Sequence, residues 1–367
     1  MKIIVVGAGI SGLSTAWSLT RRGHVVTLVE QGPIPNPLAA SGDHHRIIRR
    51  AYPAGSGYGR AITEAYEAWN ELWGDLGVEH HDPRGFVCVS REAGDDAEDY
   101  RKGLEEGGFP FELHEPDEAV RRWPFLAREG MRYAYFSTEG GALHCRRIAA
   151  GIAAWLRENS ADVRENIKVE AVDTDTASVR LGGGETLSAD MVVVTAGAWV
   201  SKLFPDIRRD LTIHRTALAY ATPPADLAEA WARAPVILDV GGRIDGYVIP
   251  PTGGAGLKFG TGRHKRRSDD ADADRVAGPE EGPAILSHFS QAFARLGEYR
   301  IDQVVSCAYT FTKDDRFFAE RRENALIVSA CSGHGYKFGA AVGRRVADWC
   351  EDLDMAKLTA WLRAETV

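Results

Sequence analysis

Ile3-Ile4-Val5-Val6-Gly7-Ala8-Gly9-Ile10-Ser11-Gly12, near the start of the chain, decides the reading of the fold. The β-branched run before Gly7 has the composition of a buried parallel strand. Ser11 to Arg22 carries Leu13, Ala16, Trp17 and Leu19 at helical spacing, and Gly23 stands where a helix would stop. Val25 to Val29 reads as a second buried strand ending in Glu30. The three glycines therefore sit in a strand–turn–helix–strand unit. Gly7 permits the tight turn, Gly9 lets a pyrophosphate approach bare backbone, and Gly12 lets helix and strand pack closely. The helix N-terminus, with Ile10 and Ser11, turns its unpaired N–H groups toward the phosphates. Glu30 is placed to accept hydrogen bonds from a ribose diol, and its charge would repel a 2′-phosphate.

Bulk properties narrow the class. The 367 residues suffice for two domains or one large α/β domain. A net charge of −8 disfavours non-specific binding to nucleic acid or to a membrane surface. No apolar run approaches the ~18–20 residues of a membrane helix, and the apolar N-terminal stretch reads as part of the nucleotide fold rather than as a cleavable leader. Cys88, Cys145, Cys307, Cys331 and Cys350 are odd in number and widely spaced, without a C-x-x-C. That pattern argues against a disulfide scaffold or structural zinc and points to a reducing compartment, the cytoplasm.

Along the chain, Tyr58 to Leu76 is a helix candidate with Ile62, Ala65, Trp69, Leu72 and Trp73 on one stripe, which reads as packing. Gly85 to Ser90 resembles a strand. Residues 146–158 form an amphipathic helix feeding a strand at Ile167-Lys168-Val169. Asp190 to Thr195 is another apolar strand, followed by Ala196-Gly197, small residues suited to a nucleotide; residues near 150–205 are thus expected to return to the first domain. The acidic run at 268–274 lacks the glycine that a calcium loop needs, and the pairs His44-His45 and His80-His81 lack ligand spacing. No metal site is expected.

Four further segments narrow the chemistry: Ser41 to Tyr52, containing Arg46-Ile47-Ile48-Arg49; Tyr247 to Gly260, with Gly253-Gly254-Ala255-Gly256-Leu257-Lys258; Ser306-Cys307-Ala308-Tyr309-Thr310; and Ser332-Gly333-His334-Gly335-Tyr336-Lys337-Phe338, leading into a helix from Ala340 to Trp349. Occurring in this order, they resemble the monomeric sarcosine oxidase and N-methyltryptophan oxidase group of the D-amino-acid-oxidase-like FAD flavoproteins, from Lys2 to about Trp349.

The resemblance implies an α/β flavoprotein with two domains. A Rossmann-like FAD-binding domain with a central parallel sheet would use residues 1–80, 145–210 and 320–367. A substrate domain on a mixed, largely antiparallel sheet would use 81–144 and 211–319. The implied reaction oxidises the C–N bond of a secondary (N-methyl or cyclic) amino acid to an imine and reduces O₂ to H₂O₂, in a monomer. Cys307 matches the position that attaches FAD covalently through a thioether, with Cys331 and Cys145 as fallbacks. Arg49 and Lys337 match the pair that grips the substrate carboxylate, and Arg46 a cation near the flavin edge. Lys258 matches a lysine facing the flavin that promotes oxygen activation, where a fixed cation stabilises the developing anion. Tyr247 and Tyr309 match tyrosines that shape the pocket. Val169, Ala196, Gly197, Gly333 and Gly335 join the N-terminal glycines as cofactor contacts.

Two departures bear on the substrate. Sarcosine-specific members carry a histidine where this chain has Gly262, and His264 could substitute only if the loop bends. His45 stands where a smaller hydroxylated residue is expected. Both point to a bulkier substrate than sarcosine. The rival readings are a same-fold dehydrogenase passing electrons to a quinone or protein acceptor, and a non-catalytic flavin-binding subunit.

Overall fold

The computed structural model describes residues 1–365. Lys2–Val6 lies inside a six-stranded sheet, between Met191–Val194 and Val25–Val29; the remaining strands are Ala325–Ser329, Phe318–Arg322 and Asp162–Arg164. All pair in parallel except the edge strand Phe318–Arg322. Such a sheet needs both faces covered. On one face the helices Ile10–Arg21, Gly57–Leu76, Cys145–Glu158 and Gly339–Asp352 bury Trp17, Trp69 and Trp349 against Ile3, Val5 and Leu28. The aromatic stripe at 58–76 is therefore core. On the other face, Ile4, Val6 and Val192 meet Val179 and Leu181 of a small antiparallel sheet, Val169–Asp173, Ser178–Leu181 and Thr186–Ser188.

One element differs from the sequence expectation. The strand expected at Ile167–Val169 begins at Val169 and belongs to this small sheet. The strand that follows helix Cys145–Glu158 into the parallel sheet is Asp162–Arg164. It is short and polar because it forms the sheet's edge, so no apolar run marks it.

The second layer is a nine-stranded, largely antiparallel sheet. Its longest strands, Thr212–Thr222 and Arg300–Phe311, pair with each other along their length. Leu257–Thr261 lies between Thr212–Thr222 and Gly246–Ile249. One face carries an aromatic core, in which Phe125 stacks on Trp231 at 3.7 Å and Phe259 meets Phe289 and Phe293 edge-on. Thr216, Leu218 and Tyr247 of this sheet face a cavity of about 460 Å³ that also reaches Gly9, Glu30 and Gly335 beside the parallel sheet. No described helix is long and apolar enough to cross a membrane.

Candidate active site

The glycine turn builds one end of the cavity. Gly7 has φ +98°, and a Cβ there would lie 2.7 Å from the Thr195 carbonyl oxygen; a Cβ on Gly12 would collide with the Gly7 carbonyl. Gly12 accordingly serves the strand–helix contact and does not line the cavity, whereas Gly7, Gly9, Ile10 and Ser11 do. The helix begins at Ile10 with no side-chain cap from Gly9, and Ser41 Oγ accepts the Ile10 N–H at 3.1 Å. The Glu30 carboxylate, 6% exposed, accepts from Ala8 N (2.7 Å), Gly32 N (3.0 Å) and Asn36 Nδ2 (2.9 Å). It thereby fastens the glycine turn to the 31–36 loop while leaving part of its acceptor capacity to the cavity. Val169, Ala196, Gly197, Gly333 and Gly335 line the same space. A turn closed to a Cβ at Gly7 and Gly12, beside a helix N-terminus that Gly9 leaves without a side-chain cap and a buried carboxylate, fits the pyrophosphate and ribose of a dinucleotide.

Toward the other end lie two cations without a carboxylate partner among the described residues. The Arg49 guanidinium carbon stands 4.0 Å from the Tyr52 ring centre and 4.9 Å from that of Tyr100; it donates to the Ala51 carbonyl, and its Nε has no partner. The Lys337 ammonium stands 5.8 Å from the same Tyr52 ring and donates to the His334 carbonyl at 2.9 Å. Each residue is 7% exposed. Burial, reinforced by Arg49, holds the Lys337 pKa well below the ordinary lysine value. Two neighbouring buried cations with unused donors have the chemistry to receive an anion.

Lys258 and Arg46 differ from that pair, because both share one carboxylate partner that carries no signal in the motifs. The Asp43 carboxylate accepts from Lys258 Nζ at 2.7 Å, Arg46 Nη1 at 2.5 Å and Tyr220 Oη at 2.7 Å. Burial would raise the Asp43 pKa, but Lys258 and Arg46 outweigh it and hold it well below the usual range. Burial lowers the Lys258 pKa, with Asp43 opposing. Lys258 is fully buried, donates also to the His45 carbonyl (2.7 Å) and does not line the cavity, contrary to the expectation that it faces it directly. Arg46 does line the cavity and also donates to Tyr309 Oη at 3.1 Å. His45 packs on Tyr220 with both ring nitrogens unpartnered, and burial together with Lys258 pushes its pKa far down, leaving it neutral. Asp43 is 215 positions from Lys258. Its place beside the Arg46-Ile47-Ile48-Arg49 run was the one available signal.

Cys307 lies opposite Thr216 in the strand pair, 1% exposed, with Sγ 4.0 Å from Arg46 Nη2; burial raises its pKa against the pull of Arg46. It does not itself line the cavity, contrary to the expectation for a flavin attachment point, although the next two residues, Ala308 and Tyr309, do, as does Cys331. Tyr247 lies across Gly260, where a Cβ would come 2.5 Å from its hydroxyl, and burial raises its pKa to about 12. His264 does not take the place vacated at Gly262: its Nε2 lies 3.0 Å from Glu281 Oε1, away from the cavity.

A family model described as DAO, FAD dependent oxidoreductase, matches residues 2–349. The chain belongs to this family. Monomeric sarcosine oxidase of Bacillus sp. (strain B-0618) is 27% identical over 364 residues, covering 93% of this chain and 90% of that protein. N-methyl-L-tryptophan oxidase of Yersinia pestis (strain Pestoides F) is 23% identical over 359 residues, with 95% of each chain covered. Among solved structures, L-proline dehydrogenase from P. horikoshii superposes with a TM-score of 0.82 at 18% identity, over 99% of this chain and 96% of that one. The open form of NikD, described as an unusual amino acid oxidase, gives 0.80 at 18%, over 97% and 96%. At these identities the structures establish the FAD-oxidoreductase fold. Membership makes FAD the implied cofactor.

Proposed function

We propose that this FAD-dependent oxidoreductase oxidises the C–N bond of a secondary α-amino acid, N-methyl or cyclic, with O₂ as the electron acceptor. The observation that carries the reading is the Arg49–Lys337 pair, two buried cations without carboxylate partners in the same cavity as the glycine cradle. Arg49 offers a planar fork and Lys337 a point charge, which together would hold a carboxylate in one orientation. Tyr52 and Tyr100 stiffen Arg49 by stacking, so little is lost in ordering it. Bound FAD supplies the acceptor for the hydride equivalent and the route of both electrons to O₂, yielding H₂O₂. The amine leaves as an imine, which water hydrolyses after release. Tyr247 and Tyr309 would bound the space beside the reacting carbon, and residues 1–80, 145–210 and 320–367 would form the cofactor unit against a substrate unit of 81–144 and 211–319.

Cys307 is proposed as the covalent attachment point for FAD, supported by its place next to the cavity-lining Ala308 and Tyr309 and to Arg46, which favours the thiolate. The five free cysteines suit a cytoplasmic monomer. A second reading has one observation in its favour. Asp43 offsets one of the two charges of Lys258 and Arg46, which weakens their help to a developing oxygen anion and favours a dehydrogenase with another acceptor.

Two measurements decide. The yellow holoenzyme, mixed anaerobically with N-methyl and cyclic amino acids, is expected to bleach; a full panel without bleaching refutes the amine substrate. Admitting air to bleached enzyme is expected to restore the colour with stoichiometric peroxide. Slow return in air with rapid return on a quinone would establish the dehydrogenase instead.

A further inference from the structure

The cavity face of strand Leu257–Thr261 and its continuation holds an arrangement that the proposed reaction does not use. Gly260 and Gly262 line the cavity from this strand and its continuation, whereas Lys258, two residues earlier, is turned to Asp43. Both glycines leave space that the neighbouring strand fills. Tyr247 occupies the space over Gly260, and the Asp245 carboxylate occupies the space over Gly262, where any Cβ would collide with its Oδ2. Asp245 reaches this position from a left-handed backbone (φ +48°), a conformation that aspartate tolerates, and its carbonyl accepts the Gly262 N–H at 2.9 Å. Asp245, Arg49, Tyr100 and Lys337 line one continuous cavity.

Among the described residues, nothing donates a hydrogen bond to the Asp245 side chain and no cation lies within ion-pair distance. Its charged surroundings are mixed. Arg263 is committed to the Arg243 carbonyl at 2.7 Å, and the Lys265 ammonium sits 4.4 Å from the Phe311 ring centre. Asp96 and Asp315 add negative potential. Asp245 is exposed to water where it lines the cavity, and the surrounding protein raises its pKa, with Lys265 partly opposing. A carboxylate held in a substrate cavity with its acceptors free is a recognition group for a cation.

The reacting amine is a poor candidate for that cation. It must lose its proton to give up a hydride, and a carboxylate that stabilises the ammonium would oppose this. We propose that Asp245 determines specificity by pairing with a second cationic group of the substrate, so that the preferred class is a secondary amino acid bearing an additional ammonium or guanidinium. This rests on the amino-acid reading above, with Arg49 and Lys337 taking the carboxylate.

The test uses the holoenzyme and two pairs of probes. Calorimetry compares 6-aminohexanoate with hexanoate, and turnover compares Nα-methyl-lysine with Nα-methyl-norleucine. The cationic member is expected to be favoured by at least about tenfold, the scale of one charge-assisted hydrogen bond, in Kd and in KM rather than kcat. In Asp245→Asn, and in Gly262→Ala, where the new methyl displaces the carboxylate, the ratio is expected to fall to within about twofold. A wild-type ratio near one, or a ratio that survives in Asp245→Asn, overturns the proposal. So does an Asp245→Asn variant that slows both amino acids equally in kcat, which would make Asp245 an acid–base group. If no amino acid is turned over, the amine-oxidase reading fails, while the calorimetric ratio still judges Asp245.

Discussion

Replacing Asp43 by asparagine is the sharpest test of how the buried charges are arranged. The substitution keeps shape and the acceptor for Tyr220 but removes the one negative charge that faces Lys258 at 2.7 Å and Arg46 at 2.5 Å. Lys258 is 0% exposed, so water cannot take over the role of the carboxylate. Breaking a buried pair while leaving its partner costs about 3–5 kcal/mol. With an unfolding entropy of about 2.1 cal/mol/K per residue, that loss lowers Tm by roughly 4–6 °C in a chain of this length. Lys258 can escape part of the penalty by releasing its proton, so the deficit is expected to shrink at alkaline pH. In the wild type the depressed Asp43 pKa contributes stability that is complete above the unfolded carboxylate value and is lost as pH falls through the folded one. The asparagine variant is expected to lack that acid limb. Urea and thermal unfolding of the holoenzyme across pH measure both effects. The double variant Asp43→Asn/Lys258→Met, which removes the stranded ammonium, is expected to recover most of the stability. A single variant within about 1 kcal/mol of wild type at neutral pH, well short of the buried-pair cost, would refute the arrangement.

Other outcomes follow from the same geometry. Binding of a competitive carboxylate is expected to take up a proton, because burial and Arg49 hold Lys337 with a depressed pKa and a bound anion restores its charge; affinity therefore falls as pH rises above that pKa, and Lys337→Met abolishes the slope. Proton uptake is read by calorimetry in buffers of different ionisation enthalpy. Arg49→Met is expected to raise KM for the amino acid by roughly 10–100-fold, the loss of a charge-assisted hydrogen bond; an unchanged KM would remove Arg49 from the carboxylate site. Cys307→Ser is expected to release the yellow colour on acid precipitation while wild type retains it in the pellet. Gly12→Ala forces a methyl against the Gly7 carbonyl and is expected to cost about 1–3 kcal/mol and lower the flavin content, read by unfolding and absorbance.

Much of the parallel sheet was legible in one dimension because its signals are local. A strand, a glycine turn and a helix within twenty-one residues declare themselves by period and by backbone demands that only glycine meets. Asp162–Arg164 was missed because an edge strand is half solvated and carries no apolar run. Arg49 and Lys337 were found through the runs in which they lie, whereas Asp43 and Asp245 stand in loops where an aspartate ordinarily meets water.

The linear order of residues thus determined the nucleotide cradle, the covered sheet and the list of cations. Folding alone decided which of those cations remain free. Asp43 meets Lys258 across 215 positions, and Asp245 enters the cavity because two strands set it opposite a residue without a side chain. A charge has no assigned partner until tertiary packing sets distance and removes water, since the strength of an ion pair depends on both.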